Sequence, residues 1–308
     1  MRCLALAQAW RRRGGEAVFV SRCTEKLPLD RLHRDQFRIE KIDEPDAGWR
    51  VISSLSAARG SWLVLDSYRF TPDDHARAKT FGHRVLVLDD LAAQTSYHVD
   101  AVLNSAPVES ITPDRYAGAG LALLGPAYVL LREEFLAFEN RAYQTVPAVR
   151  RVLVTMGGTD PMGLSPRVIK ALQKTSFTGE ILVTGGASSP TDTISTVDGS
   201  PDMATVLASV DVAISGAGST CWEMAFMGIP SVVIVLADNQ WGVANTMSAS
   251  GAAVNVGWHA AIKDHLLSQA IERVITDPET RSRMSGCGRA LIDGHGSDRV
   301  VAACLSMN

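Results

Sequence analysis

Cysteine is scarce and scattered. Cys3, Cys23, Cys221, Cys287 and Cys304 are odd in number and include no Cys-x-x-Cys and no Cys/His pair at metal-binding spacing, so neither a disulfide scaffold nor a structural metal site finds support. They read as the reduced thiols of a cytoplasmic protein. No lysine follows a glycine turn in the Walker A manner, and neither HExxH nor GxSxG occurs. P-loop phosphotransfer, zinc hydrolysis and serine esterase chemistry therefore lose their usual signatures. The longest apolar runs, such as Ile229 to Ala237, are of strand length and too short to span a bilayer. No signal peptide is read, since Arg2 and the Arg11–Arg13 run flank an amphipathic segment rather than a cleavage site. Excess positive charge is missing too. A net charge of -3 gives no general attraction for nucleic acid or an anionic membrane. The histidines (His33, His75, His83, His98, His259, His265, His295) stand apart from one another, as surface or loop residues do more often than ligands or bases.

What is present is an ordinary globular composition, 46% hydrophobic and 20% charged, in a chain of 308 residues. That length predicts two domains, each with its own core. The most informative stretch runs from Val210 to Asn245. It reads as a strand (Val210–Ile214), a glycine-rich turn (Ser215–Gly218), a helix opening at Ser219 or Thr220, and a second buried strand (Ser231–Leu236). Glycines allow backbone to approach a ligand closely, and a helix N-terminus offers unpaired N–H groups and a positive dipole end, so the pattern suits a phosphate. Glu223 falls in the first helical turn, where the dipole stabilises a carboxylate that could accept sugar hydroxyls. A plain N-capped helix after a strand explains the glycines equally well.

From its start the chain reads as a helix (Met1–Arg13) stopped by Gly14 and Gly15, then a short strand (Glu16–Ser21). This is the second half of a βαβ unit whose first strand would lie ahead of residue 1. Little pattern follows until a helix over 48–58. Trp62–Asp66 predicts a buried parallel strand ending in a carboxylate, with Tyr68 just beyond. Asp66 and Tyr68 thus sit at the edge where α/β sheets place ligands. A cap for Asp66 and a half-buried surface phenol for Tyr68 are the structural alternatives. A helix (Pro72–Phe81) and strands at Arg84–Asp89 and Ala101–Asn104 complete a rim. The adjacent acids Asp89 and Asp90 point to opposite sides of an extended chain, which favours capping over catalysis. Leu121–Phe135 reads as a strand and turn leading to Arg132, and the polar Asn140–Arg150 with Pro147 reads as the interdomain linker. Domains are accordingly expected over 1–145 and 146–308.

The second half opens with a strand at Val152–Thr155 and the turn MGGTDPMG, which contributes Gly157, Gly158, Thr159, an Asp160 cap and Pro161 at a first helical position. A strand with Gly185 and Gly186 at its end, a strand near Ala253–Val256, helices at Lys263–Thr276 and Glu279–Leu291, and a short final helix after Val300 follow.

Taken together, MRCLALAQA, LVLDSY, VLDDLA, LLGPAYVLLREEF, MGGTDP, SGAGSTCWEMAFMGIP, ADNQWGVAN and DGHGSDRV resemble the UDP-2,4-diacetamido-2,4,6-trideoxy-β-L-altropyranose hydrolases of pseudaminic acid biosynthesis, which serves flagellin glycosylation. That family is similar in turn to the peptidoglycan N-acetylglucosaminyltransferase. The resemblance spans nearly the whole chain in consistent order. It implies an α/β chain of two Rossmann-like domains of GT-B type with a central cleft, a UDP-sugar as the small-molecule partner, no cofactor and no metal, and a monomer. The implied reaction is attack of water at the anomeric carbon with inversion and loss of UDP. The resemblance places Gly157, Gly158, Thr159, Asp160, Gly218, Ser219 and Thr220 near the nucleotide and phosphates, and Glu223 on the ribose. It places Asn239 and Gln240 on the sugar and pyrophosphate side and Tyr68 in the sugar pocket; Asp66, from its place at a strand end, and Arg132 are further expected substrate contacts. Tyr68 and Asn239 are its candidate catalytic residues. The family's base is a histidine in a GxGH motif, which would lie upstream of Met1. A GT-B glycosyltransferase and a non-catalytic nucleotide-sugar binder are the alternative readings.

Overall fold

The computed structural model describes residues 1–55, 60–106, 111–141, 143–158, 160–185, 191, 193–197 and 202–307. Its elements, in chain order, begin with α1 (Arg2–Arg12), β1 (Val18–Ser21), α2 (Lys26–Arg34), β2 (Arg38–Lys41), α3 (Pro45–Ser54), β3 (Trp62–Leu65) and α4 (Pro72–Lys79). Next come β4 (Arg84–Leu88), β5 (Ala101–Asn104), β6 (Leu121–Leu124), α5 (Glu133–Leu136), β7 (Arg151–Thr155), α6 (Ser165–Leu172), β8 (Glu180–Thr184) and β9 (Ile194–Val197). The remainder is α7 (Met203–Ala208), β10 (Val212–Gly216), α8 (Thr220–Met227), β11 (Ser231–Val235), α9 (Trp241–Ala249), β12 (Ala253–Trp258), α10 (Asp264–Thr276), α11 (Pro278–Leu291) and α12 (Gly296–Ser306).

The chain divides into two compact units, one of residues 1–133 with 295–308 and one of residues 134–294. The sequence division at 145/146 differs from this in two ways. The segment around Tyr143 and Pro147 belongs to the second unit because arginines of α11 bind it. Arg281 donates to the carbonyls of Val146 (2.5 Å) and Pro147 (3.3 Å), and Arg289 donates to those of Glu139 (2.9 Å) and Arg141. The final helix, for its part, returns to the first unit. Val300, Val301 and Cys304 of α12 share a core with Leu6 and Ala9 of α1 and Leu86, Leu88 and Leu103. That helix begins at Gly296, earlier than expected, so most of DGHGSDRV is helical rather than a terminal loop.

In the first unit every paired strand is parallel, but the strands form two sheets, β1-β2 and β3-β4-β5-β6. Helix α1 packs against both. Leu4 and Ala7 join Leu32 and Phe37 near the small sheet, while Leu6 and Ala9 join the large one. Positions three apart share a helix face, so two adjacent apolar stripes serve two surfaces. The sequence left β2 and α2 unread. Helix α3 begins at Pro45 rather than Gly48, and residues 56–59 lie outside the described ones.

The second unit carries one six-stranded parallel sheet in the order β12-β11-β10-β7-β8-β9. Its central strands β7, β10 and β11 are buried on both faces, as the helices of successive βα units require, and Val152, Val154, Ile214, Val232 and Ile234 lie in a core completed by α6 and α10. Among the described residues no helix is long and apolar enough to cross a membrane.

Candidate functional site

The chain of the second unit runs outward from β7 through β8 to β9, then returns to lay β10 on the other side of β7. This reversal makes a topological switch point between β7 and β10, where open α/β sheets hold ligands outside the strands' carboxyl ends. Both glycine turns open there. Thr155 and Ser215 are register partners at the ends of the two strands, and Gly157 and Gly158 follow one while Ala217, Gly218 and Ser219 follow the other. The second turn is shorter than expected because β10 extends through Gly216. Among the described residues, the backbone N–H groups of Gly157, Gly158, Gly218, Ser219 and Thr220 make no hydrogen bond. Unpaired N–H groups at a glycine turn and at a helix N-terminus are the kind of donor that accommodates an anion.

Local geometry explains the glycines. Gly157 has φ +89°, a region side chains rarely enter. At Gly185 a Cβ would stand 2.6 Å from the Gly157 carbonyl oxygen and 2.5 Å from that of Gly158, so the turn after β8 packs directly under the turn after β7. Gly185 thus supports the site rather than merely ending a strand; Gly186 lies outside the described residues. Thr184 Oγ1 donates to Thr155 Oγ1 at 2.7 Å and ties the same two strands below.

Helix α8 starts at Thr220 without a side-chain cap from Ser219 and closes on Gly228 in the left-handed conformation. Ser219 is exposed, Thr220 partly so, and Glu223 is 8% exposed on the first turn. Burial, and then the charge of Glu223, pushes the Cys221 thiol up out of the range where a thiolate forms. Asn239 and Gln240 lie in a 3₁₀ turn after β11. Gln240 Oε1 accepts the Leu236 N–H at 2.9 Å, and its Nε2 is 3.8 Å from where a Cβ on Gly218 would stand. The structure therefore brings Gly157, Gly158, Gly218, Ser219, Thr220 and Gln240 to neighbouring strand ends. Thr159 lies outside the described residues.

Asp160 is occupied locally. Its φ is +45°, a strained value that Asp tolerates better than most residues, and its carboxylate accepts the N–H groups of Leu164 (2.9 Å) and Ser165 (2.8 Å). It braces the start of a helix from the preceding loop but is not the expected N-cap, since the helix begins at Ser165 behind Leu164. Pro161 is not a first helical residue.

In the first unit, Asp66 and Tyr68 follow β3 and Asp90 follows β4, an adjacent strand. Arg2 joins them: its Nε and Nη2 donate to Asp66 Oδ1 (3.0 and 2.7 Å), and its Nη1 donates to both oxygens of Asp90 (2.8 and 2.7 Å). Cys3 Sγ donates to Asp66 Oδ2 at 3.1 Å and Tyr68 Oη to Asp90 Oδ2 at 2.6 Å. Burial alone would raise the Asp66 pKa; the hydrogen bond and charge of Arg2, with the Cys3 thiol, hold it below the usual carboxylate value. Asp66 is thus ion-paired rather than a cap. Thr71 caps the following helix instead, in a reciprocal box with Asp74. The two adjacent acids do diverge. Asp89 accepts the N–H groups of Leu91 (2.9 Å) and Ala92 (3.1 Å) and the Tyr97 hydroxyl, whereas Asp90 serves Arg2 and Tyr68. Tyr68 is 53% exposed, and Arg132 is buried just ahead of α5.

Sequence reasoning did not single out Arg2, whose only signal is a charge at the start of a helix, and it took Asp90 for a cap, whereas Asp90 binds Arg2 and Tyr68. Among the described residues no group of three or more His, Cys, Asp or Glu side chains is placed to hold a metal ion.

Three comparisons bear on this geometry. The glycosyltransferase family 28 C-terminal domain matches residues 170–293, which includes β10, the glycine turn and α8. The spore coat polysaccharide biosynthesis protein SpsG of Bacillus subtilis is 25% identical over 285 residues, covering 88% of this chain and 84% of that protein. Among solved structures, MurG of Acinetobacter baumannii superposes with a TM-score of 0.67 at 16% identity, covering 99% of this chain and 95% of that one. The spinosyn forosaminyltransferase SpnP does so at 0.63 and 13%, covering 98% and 95%. The fold is the parallel-sheet α/β architecture of the GT-B enzymes.

Proposed function

We propose that the chain is a UDP-sugar hydrolase that releases UDP by attack of water at the anomeric carbon, on an acylamino sugar of the 2,4-diacetamido-2,4,6-trideoxy-β-L-altrose type, in surface-polysaccharide or pseudaminic acid biosynthesis. One observation carries the nucleotide part. Two glycine turns flank the β7/β10 switch point and present five backbone N–H groups that no described group engages. A diphosphate matches that donor set. In this reading Glu223 takes the ribose hydroxyls and Asn239 and Gln240 the pyrophosphate side, while Tyr68, carried over from the resemblance, and Asp66 and Arg132 are further substrate contacts. The similarity to SpsG, named for spore coat polysaccharide biosynthesis, supports a place in cell-surface carbohydrate assembly.

The reaction needs an attacking water oriented and partly deprotonated while the diphosphate leaves. In this reading backbone amide dipoles meet the negative charge of the leaving diphosphate. The match to a glycosyltransferase domain over residues 170–293 favours one other reading, transfer of the sugar to an acceptor from the same UDP site.

Titration calorimetry separates these. UDP is expected to bind and uridine to bind at least tenfold more weakly, because the diphosphate supplies the groups that the turns recognise. UDP released from a UDP-acylamino sugar in water alone supports hydrolysis; release only with an added acceptor supports transfer. Equal, weak binding of UDP and uridine would overturn the nucleotide reading altogether.

A further inference from the structure

His75 of α4 is a buried titratable group in the first unit. It is 1% exposed, and among the described residues its buried Nδ1 has no hydrogen-bond partner. Native interiors rarely leave a polar atom in that state. We propose that His75 is an acid-sensitive switch, whose protonation lifts α4 from the segment over 89–97 and loosens the strand-end rim that Asp90 shares with Arg2.

The imidazole lies against Tyr97, with ring centroids 6.0 Å apart and planes 27° from parallel. Tyr97 is fully buried, meets Tyr116 edge-on at 5.0 Å and donates its hydroxyl to Asp89 Oδ2. The other Asp89 oxygen accepts the N–H groups of Leu91 (2.9 Å) and Ala92 (3.1 Å). One carboxylate therefore folds the segment after β4 onto the phenol that His75 covers. The next residue, Asp90, binds Arg2.

A proton on this ring adds a positive charge and a second N–H where no acceptor is free. The charged groups that face the ring are Asp74 on α4 itself, Asp89 after β4 and His98 before β5. Asp74 is committed to the N–H (2.9 Å) and hydroxyl (2.8 Å) of Thr71 in the capping box. Asp89 is committed to Tyr97, Leu91 and Ala92, and His98 opposes a second positive charge. Burial is the largest effect; it outweighs the two carboxylates and holds the His75 pKa below its ordinary 6.5. The packed ring thus stays neutral, while a ring released by the lifting of α4 takes up a proton. Opening is coupled to proton uptake and grows as the pH falls below 6.5.

The test is hydrogen exchange on the full chain at about pH 7.5 and about pH 5.5, read by mass spectrometry and corrected for the pH dependence of chemical exchange. In the wild type, protection of peptides from α4 and from 89–97 should fall about five- to tenfold, the ratio set by a released histidine with its ordinary pKa. Peptides from β7, β10 and β11 should change by less than about twofold. His75→Phe keeps a ring against Tyr97 and removes the proton site, so its protection should be the same at both pH values. His75→Gln, which cannot titrate either, repeats the comparison if the larger ring unsettles the core. In the wild type, the imidazole Cε1–H resonance that disappears in the variants should titrate with a midpoint below 6.5. An equal fall in the variants, no fall in the wild type, or a midpoint at or above 6.5 would overturn the inference. None of these outcomes depends on the nucleotide reading.

Discussion

Gln240 Oε1 accepts the backbone N–H of Leu236 at 2.9 Å, which turns the amide nitrogen toward the glycine turn at Gly218. One end of the side chain is committed to the end of β11, and the other presents N–H donors beside the unengaged amides of α8. Gln240→Glu keeps the first contact and replaces the donors with a carboxylate. UDP affinity is expected to fall by about 1.5–3 kcal/mol, with the melting temperature little changed. Titration calorimetry with a thermal scan checks both halves.

Helix α8 holds its position partly through Gly288 of α11. A Cβ there would stand 2.8 Å from the Ala225 carbonyl oxygen and 3.0 Å from its Cα, which are backbone atoms that cannot rotate away. Gly288→Ala must push the two helices apart, at a cost of roughly 1–3 kcal/mol. The same shift moves the N-terminus of α8, so UDP affinity should fall as well. Urea unfolding and calorimetry on one sample test the pairing; a loss of stability with unchanged UDP binding would uncouple helix packing from the site.

Asp66 contributes an acid-dependent share of stability. Its carboxyl is held below the usual value by Arg2 and Cys3 against the opposing effect of burial. A depressed carboxylate stabilises the fold above its unfolded pKa of about 4, and that contribution is lost as pH falls through the lower folded value. The stability difference between wild type and Asp66→Asn should therefore be larger at about pH 6 than at about pH 3. Denaturant midpoints at the two pH values provide the check, and a difference independent of pH would contradict the ion pair.

The cysteines should sort by burial. Cys221 and Cys304 are buried, and burial pushes the Cys304 thiol up to about 12, so little thiolate is present at neutral pH. Cys23 and Cys287 are partly exposed. Iodoacetamide at neutral pH is expected to modify Cys23 and Cys287 first, with Cys221 and Cys304 reacting only after denaturant is added. Mass spectrometry of peptides from a labelling time course reads the order directly.

Much of the second unit was legible in advance because its strands are buried runs bounded by glycine. There β7, β10, β11, α10 and α11 fall within about two residues of their expected bounds at either end, and in the first unit the span of β5 matches its expected residues. Elements that escaped notice have weaker local signals. The strands β2 (RIEK) and β9 (ISTV) are short sheet edges, only partly buried, so neither a continuous apolar run nor a clean alternation marks them. Helix α9 contains Gly242 and buries Val243, Ala244 and Met247 without a strongly polar opposite face, which blurs a period of 3.6.

By itself the amino-acid order determined where the strongly patterned segments extend and coil, and which turns carry glycine, because those depend on neighbours a few residues away. Only the tertiary structure decided which strand ends lie side by side, placing the turns after β7 and β10 together at a reversal of sheet order. It also decided that α12 returns to the first unit and that Arg2 meets Asp66 and Asp90, 64 and 88 residues along the chain. Such meetings follow from burying all the apolar faces at once, a condition no single segment can express.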